Sequence, residues 1–171
     1  MFLALALVTV APAQTIDGKP RVVFHAEGSP GFLTFEGVTR QLTLEADGDT
    51  LTFIVPMDTV QTGIALRDQH MRDTYVETAT FPDVALTVRR ADVRFPEAGQ
   101  RHEGTLSGTF TAHGVTRDVA VAYTIREKKG RFTIEASFPF DTSAHDIAIP
   151  SYLGVTIRSA MRAEVDVTIV P

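Results

Sequence analysis

The sequence predicts an all-β protein: an antiparallel barrel of about nine short strands, interrupted by one helical insert. Apolar and polar residues alternate one by one along most of the chain, as in strands that bury one face. Turn residues separate neighbouring segments at short, regular intervals. A chain of 171 residues fits one domain. Sequential hairpins favour a barrel over the alternative, a sandwich, because closure removes exposed sheet edges.

Four alternating segments occupy the first third of the chain, each with an apolar face and a face of Thr, Glu and His. Asp47-Gly48 stands between the last two and predicts a hairpin turn. The apolar positions are Val22, Phe24 and Ala26; Leu33 and Phe35; Leu42, Leu44 and Ala46; and Leu51, Phe53, Val55 and Met57.

Five further segments follow in the second half. His113-Gly114 and Lys128-Lys129-Gly130 interrupt the alternation and predict two more turns. The apolar positions are Val84, Leu86 and Val88; Leu106, Gly108, Phe110 and Ala112; Val119, Val121, Tyr123 and Ile125; Phe132, Ile134, Ala136 and Phe138; and Val165, Val167 and Ile169.

Residues 64–82, IALRDQHMRDTYVETATFP, break this pattern with a polar, helix-prone stretch. Asp58 and Gln61 have the spacing of a capping box, and Asp68 precedes Arg72 by four residues, the order that supports a helix. We therefore expect a short amphipathic helix within residues 64–77, ending before Phe81-Pro82. It would lie across a barrel end or along the outside, either as a lid or plug or simply as a cap on the core.

The first thirteen residues are apolar and uncharged, and Ala11-Pro12-Ala13 has the small-x-small pattern read by signal peptidase. We expect residues 1–13 to be a signal peptide, although the positive n-region is missing, and residues 14–171 to form the barrel domain. The alternative is a buried first strand. About ten apolar residues are too few to span a bilayer, which takes about 20.

Composition narrows the classes of partner. The net charge of −5 leaves no basic stripe for a phosphate backbone, so we expect no nucleic-acid partner. Cysteine is absent, which removes disulfides and thiolate chemistry. The domain must therefore be held together by burial.

Five histidines raise the question of a metal site, but they are scattered and form no His-x-His or His-x-x-His pair. The positions are His25, His70, His102, His113 and His145. We expect no metal and no cofactor. His113 is expected to be a turn residue, and His70 to lie on the helix surface or at the mouth.

A catalytic triad is not predicted either. Ser143, His145 and Asp146 lie too close in sequence to converge as nucleophile, base and orienting acid. The serine of Gly104-Thr105-Leu106-Ser107-Gly108 is one place too late for a nucleophile elbow. We therefore expect no catalytic residues.

Three motifs follow one another along the chain. They are residues 58–82, Gly104-Thr105-Leu106 with His113-Gly114-Val115-Thr116-Arg117, and Ile149-Pro150-Ser151-Tyr152-Leu153-Gly154-Val155-Thr156. Together they resemble the YceI-like lipid/polyisoprenoid-binding family. Two departures are the absence of the family's "dFF" after the helix and the insertion-like residues 158–162.

The resemblance implies an eight-stranded, or nine-stranded, lipocalin-like barrel with the helix and a long loop beside its mouth. It also implies a periplasmic or secreted protein whose apolar interior holds a polyisoprenoid, an isoprenoid quinone or a fatty-acyl lipid.

Small inward residues alternate with large ones, which leaves room for a ligand inside a small barrel. We expect the bulky inward residues to line the cavity. Three residues of the helical insert and one residue of the segment 149–156 are expected at its mouth. The alternative for each of these residues is an ordinary position in the core. Arg67 is a candidate for a quinone or phosphate headgroup. The predicted lining is Phe24, Phe35, Phe53, Leu86, Phe110, Tyr123 and Phe138, with Met71, Tyr75, Tyr152 and Arg67 at the mouth.

The function predicted is non-enzymatic binding of a long apolar chain. The main alternative is an enzyme, such as an isomerase or cyclase, acting on an apolar substrate in the same cavity; it needs an inward polar group that the alternation does not supply. An outer-membrane barrel is disfavoured because the outward faces are polar. A secreted adhesion module and a homodimer both remain open.

Overall fold

The structure, a computed structural model, describes residues 14–30, 33–152 and 154–170. The predicted signal segment, residues 1–13, lies outside the described residues. Twelve strands are described: β1 (Thr15–Ile16), β2 (Arg21–Ser29), β3 (Thr34–Thr39), β4 (Thr43–Asp47), β5 (Thr50–Pro56), β6 (Asp83–Arg89), β7 (Arg101–Ala112), β8 (Val115–Lys128), β9 (Arg131–Asp141), β10 (Ser151–Tyr152), β11 (Val155–Ile157) and β12 (Ala160–Val170).

One antiparallel sheet contains all twelve strands, and its long strands follow the order β3-β2-β12-β9-β8-β7-β6-β5-β4. The two outermost strands, β3 and β4, are consecutive in the chain and are joined only by residues 40–42. The sheet therefore curls round on itself, with β3 pairing to β2 and β4 pairing to β5. Counted as one strand with a corner, β3 and β4 complete a ring of eight, which is the predicted architecture.

The curled sheet has two ends. At the closed end lie the β4–β5 turn, the β8–β9 turn and a 3₁₀ turn at Arg90–Asp92. At the open end lie the β2–β3 turn, the β7–β8 turn, residues 57–82 (the insert) and residues 142–159 (the late connection). The three hairpin turns predicted from sequence are all present, and His113, Lys129 and the glycines after them have the positive φ values that such turns require.

The insert consists of a 3₁₀ turn at Met57–Thr59, the helix α1 (Ala65–His70) and a π-helical turn at Met71–Tyr75. The predicted helix is therefore present, but its predicted capping box is wrong. Ile64 is the N-cap of α1, and Asp58 lies in the preceding 3₁₀ turn. The reason is local: Thr59 Oγ1 donates to the Pro56 carbonyl oxygen at 2.7 Å, which closes a separate short turn.

Apolar side chains pack tightly towards the closed end. Leu51, Ile125, Ile169, Val22 and Val167 are each no more than 2 % exposed. They come from strands spread round the ring, so their burial fixes the curl of the whole sheet. Full burial of each such side chain contributes about 1.5–3 kcal/mol before ordering costs are counted. None of the described helices is long and apolar enough to cross a bilayer.

The late connection carries a hairpin of β10 and β11, which pairs to the end of β2 through Thr156 and Ser29. Of the segment that looked like an insertion in the sequence, residues 158–162, the last three residues begin β12, and Arg158 and Ser159 join β11 to it. Thr142 donates its N–H to the Ser159 carbonyl oxygen at 2.9 Å. This bond holds the link between the two strands against the beginning of the late connection.

Candidate functional site

A cavity of about 760 Å³ occupies the open end of the barrel. Its walls are almost wholly apolar; the ionisable side chains in its lining are Arg67, His70 and Tyr75. Residues from the strands, the insert and the late connection all contribute. Representative lining residues are Phe24, Ala26, Phe35, Phe110, Ala112 and Phe140 from strands; Ile64, Leu66, Met71 and Val76 from the insert; and Ile147, Ala148, Pro150, Val155 and Ile157 from the late connection.

Aromatic rings form the floor of the cavity. The Phe110 ring centroid lies 4.9 Å from that of Phe140 and 5.1 Å from that of Phe138, and Phe24 meets Phe140 edge-on at 6.4 Å. Such tilted pairs hold one another in fixed orientations. Phe138 is only 3 % exposed and does not reach the cavity, so this cluster separates the hollow from the packed core below.

His145, buried to 1 % exposure, packs its ring against Phe110 and Phe140 at centroid distances of 5.4 and 6.3 Å. Its Nδ1 lies 2.9 Å from the Asp141 carbonyl oxygen and its Nε2 lies 3.3 Å from the Phe110 carbonyl oxygen. Both ring nitrogens therefore lie within hydrogen-bond distance of a backbone carbonyl oxygen. The contact joins the late connection to β7. The imidazole of His145 thus bridges the end of β9 and β7 through backbone carbonyls.

The other residues of the sequence triplet point elsewhere. Ser143 Oγ donates to Asp141 Oδ1 at 2.5 Å, and Asp146 is exposed in a left-handed turn. The Ser143 hydroxyl, followed by weaker bonds from Ser143 N–H and the Ser159 hydroxyl, lowers the pKa of the Asp141 carboxyl. Within residues 14–30, 33–152 and 154–170, no group of three His, Asp or Glu side chains is placed to hold a metal.

Hydrogen bonds fix the start of α1 against the cavity wall. The Asp68 carboxylate accepts the Thr62 N–H at 2.8 Å and also the Thr62 hydroxyl. Arg67 donates from Nε to Thr62 Oγ1 and from Nη2 to the Thr62 carbonyl oxygen, both at 2.7 Å. The Arg67 guanidinium carbon also lies 4.7 Å from the Phe35 ring centroid. Arg67 therefore holds the insert to β3 and sits at the rim of the cavity.

The π-helical turn after α1 directs two insert residues into the hollow. Its signature bond runs from the Val76 N–H to the Met71 carbonyl oxygen at 2.8 Å. The extra residue in this turn changes the direction in which the following side chains point, and both Met71 and Tyr75 line the cavity.

The far end of the insert is attached to the β7–β8 turn. His113 Nε2 lies 2.7 Å from Glu77 Oε2, and the Phe81 ring packs against the His113 ring in a tilted arrangement at a centroid distance of 4.2 Å. Gly114 leaves room for Phe81: a Cβ there would lie 2.9 Å from Phe81 Cε1. The insert is thus held at both its start and its end.

Six of the eleven residues predicted for the site line this one cavity: Phe24, Phe35, Phe110, Met71, Tyr75 and Arg67. Four others do not reach it. Leu86, Tyr123 and Phe138 are buried in the core, and Phe53 packs against that core from a half-buried position. Tyr152 lies in β10, and its side chain is outside the described part of the structure.

Sequence reasoning missed several wall residues. Phe140 continues the alternation of Phe132, Ile134, Ala136 and Phe138 by one step, so the pattern itself could have found it. Residues of the late connection, such as Ile147 and Val155, follow no period. Only the fold brings them over the cavity.

A second depression, of about 630 Å³, lies on the outer face of the sheet. It is lined by polar and acidic side chains that include Glu103, Glu135, Glu164 and Asp166. His25 Nε2 lies 3.0 Å from Glu164 Oε2, and the interaction with His25 is the main cause of the lowered pKa of the Glu164 carboxyl. This open, negatively charged groove does not suit an apolar chain.

Residues 15–170 match the family model of the YceI-like domain. The chain belongs to the YceI-like family. The family resemblance seen in the motifs is thereby confirmed. Among curated proteins, none matches the chain.

Solved structures of this YceI-like fold superpose over most of the chain. A polyisoprenoid binding domain from Saccharophagus degradans, implicated in plant cell wall breakdown, gives a TM-score of 0.77 at 16 % identity, covering 93 % of this chain and 99 % of that domain. BcnA of Burkholderia cenocepacia gives 0.66 at 13 % identity over 86 % of this chain and 95 % of BcnA. The YCEI protein of Campylobacter jejuni gives 0.53 at 15 % identity over 100 % and 91 %. Likeness at these identities shows the fold alone.

Proposed function

We propose that this YceI-like protein binds one long apolar chain, a polyisoprenoid, an isoprenoid quinone or a fatty-acyl lipid, in the cavity at the open end. The observation that carries the proposal is a hollow of about 760 Å³ walled by apolar side chains. This volume lies within the usual range of ligand pockets, about 300–1,000 Å³. The polyisoprenoid-binding domain of Saccharophagus degradans, which shares the fold, supports the choice of ligand class.

The affinity would come from burial of methylene groups. Each buried methylene contributes about 0.8 kcal/mol, so ten contribute roughly 8 kcal/mol before ordering costs. That amount corresponds to about micromolar binding. Selectivity would follow chain length and girth. A polar head, where the ligand has one, would lie at the rim beside Arg67.

The protein acts without catalysis in this proposal. The ionisable groups of the lining, Arg67, His70 and Tyr75, all belong to the insert, and the floor is aromatic. A chain inside the barrel would therefore meet ionisable side chains only where it passes the insert, and none on the strands that line the cavity. Export to the periplasm or the exterior, through residues 1–13, is part of the same proposal.

Native mass spectrometry of protein purified gently from its own host tests this function. We expect one non-covalently bound apolar lipid per chain, and saturable binding of geranylgeraniol after delipidation. Protein that is consistently empty and also shows no saturable binding of geranylgeraniol or palmitic acid would contradict the proposal.

A further inference from the structure

Large apolar side chains that face solvent are concentrated at one place in the molecule. Within the described residues they are Leu33, Ile64, Leu66 and Ile149, exposed to 46 %, 54 %, 62 % and 43 %. Leu33, Ile64 and Leu66 also line the cavity, and Ile149 lies between two lining residues, Ala148 and Pro150. We call these four residues the apolar rim.

The apolar rim is assembled from separate parts of the chain. Leu33 comes from the β2–β3 turn, Ile64 and Leu66 from the insert, and Ile149 from the late connection. Scattered exposed apolar residues are ordinary, but a contiguous set round a hollow marks an interaction surface. The closed end offers an internal comparison, since its described turns present Asp49, Asp92 and Lys129.

The charges near the rim favour an apolar, weakly charged partner. In α1 the single carboxylate, Asp68, is 8 % exposed and bonded to Thr62, so the helix presents Leu66, Gln69 and His70 outwards. Exposed Asp58 and Asp73 remain elsewhere in the insert. The insert also carries two cations, Arg67 and Arg72, but its four carboxylates, which include Glu77, outnumber them. The rim is therefore not net cationic, and we expect apolar contact instead of attraction to anionic headgroups.

We propose that the apolar rim docks onto the surface of a phospholipid bilayer, so that an apolar chain passes between the bilayer and the cavity without crossing water. This inference rests on the proposed function, because a long chain resides in a bilayer and its exposure to water is unfavourable. Four side chains are too few for a stable interface with a second copy, which takes roughly 20–30 residues a side. Shallow insertion of a few apolar side chains is sufficient for reversible attachment to lipid.

Flotation with vesicles of pure phosphatidylcholine tests the docking. We expect the full chain to float with the vesicles, and the bound fraction to change less than twofold between 50 mM and 500 mM salt. Ile149→Glu, which alters a rim residue outside the cavity lining, should weaken vesicle binding about tenfold. Ala91→Glu adds the same charge at an exposed position of the closed end and should leave vesicle binding unchanged.

Titration with geranylgeraniol in the absence of vesicles separates this inference from the proposed function. Ile149→Glu should keep the wild-type affinity for geranylgeraniol although its binding to vesicles is weakened. A wild-type chain that binds geranylgeraniol but does not float with vesicles would overturn the docking and leave the proposed function intact. Equal losses of vesicle binding in Ile149→Glu and Ala91→Glu would do the same. Floating without any binding of geranylgeraniol would overturn the function instead. If Ile149→Glu dissociates a dimer and vesicle binding is unaffected, the rim is a self-association surface and the docking is wrong.

Discussion

The closed and open ends of the barrel are built from the same alternating strands, but one end is filled and the other is hollow. At the closed end Ile125, Ile169 and Val22 leave almost no surface exposed. At the open end the inward residues Ala26 and Ala112 are small, and the insert forms part of the cavity wall. The comparison teaches that the packed core and the cavity proposed for binding occupy different halves of one sheet.

The largest effect should come from matched truncations at the two ends. Ile125→Ala removes a side chain that is 0 % exposed, and we expect the free energy of unfolding to fall by about 2–5 kcal/mol. Ile64→Ala removes the same atoms from a residue that is 54 % exposed, and we expect a change within about 0.5 kcal/mol. Urea denaturation measures both. Equal losses would show that the open end is as well packed as the closed end.

Two glycines in hairpin turns test the same comparison, with smaller expected changes in the free energy of unfolding. Gly114 at the open end and Gly130 at the closed end both have positive φ, 73° and 77°. A Cβ at Gly130 meets nothing within 4 Å, whereas a Cβ at Gly114 lies 2.9 Å from the Phe81 ring. We expect Gly130→Ala to cost about 1–2 kcal/mol through backbone strain alone. Gly114→Ala should cost more, since Phe81 must also move.

Affinity for geranylgeraniol provides the second readout for this pair. Gly114→Ala should alter it, because Phe81 and the Glu77–His113 contact hold the end of the insert. Gly130→Ala should leave it unchanged. Identical unfolding curves for the two variants would mean that Phe81 does not support the insert.

The smallest effect expected is on the acid side of the stability profile. Hydrogen bonds, first from the Ser143 hydroxyl, hold the pKa of Asp141 below its ordinary value. A carboxyl whose pKa is lowered by folding stabilises the native state above its ordinary pKa of about 4 and loses that contribution as the pH falls through the lowered value. We therefore expect the free energy of unfolding to decline below about pH 4. Asp141→Asn should flatten this decline, whereas Asp118→Asn, at an exposed position of β8, should not.

Sequence reasoning recovered the fold and about half of the candidate site, and the division has a physical basis. Strand alternation identifies which residues face inwards, such as Phe24 and Phe138, but not how far along the barrel each one lies. Depth decides whether an inward residue meets the cavity or the core. The corner at residues 40–42, which lets β3 and β4 act as one strand of an eight-membered ring, also leaves no trace in the alternation.

The late connection shows the other limit. Ile147, Ala148 and Val155 have no periodicity, and their place over the cavity depends on the β10–β11 hairpin pairing to β2. The capping box at Asp58 illustrates a local error: Asp58 lies in a separate 3₁₀ turn, and Gln61 pairs through its backbone with Val38. Period-two alternation predicted the strands correctly, whereas the positions of the irregular segments follow only from the folded structure.

Filling the hollow with a larger side chain tests most directly whether the open end binds an apolar chain. Ala26 lines the cavity, so Ala26→Phe should lower the affinity for geranylgeraniol at least tenfold. It should change the free energy of unfolding by less than about 1 kcal/mol, because a cavity accepts added volume that a packed core does not. Ala122→Phe, on the exposed outer face of β8, should leave both quantities unchanged. Undiminished affinity in Ala26→Phe would contradict binding in this cavity.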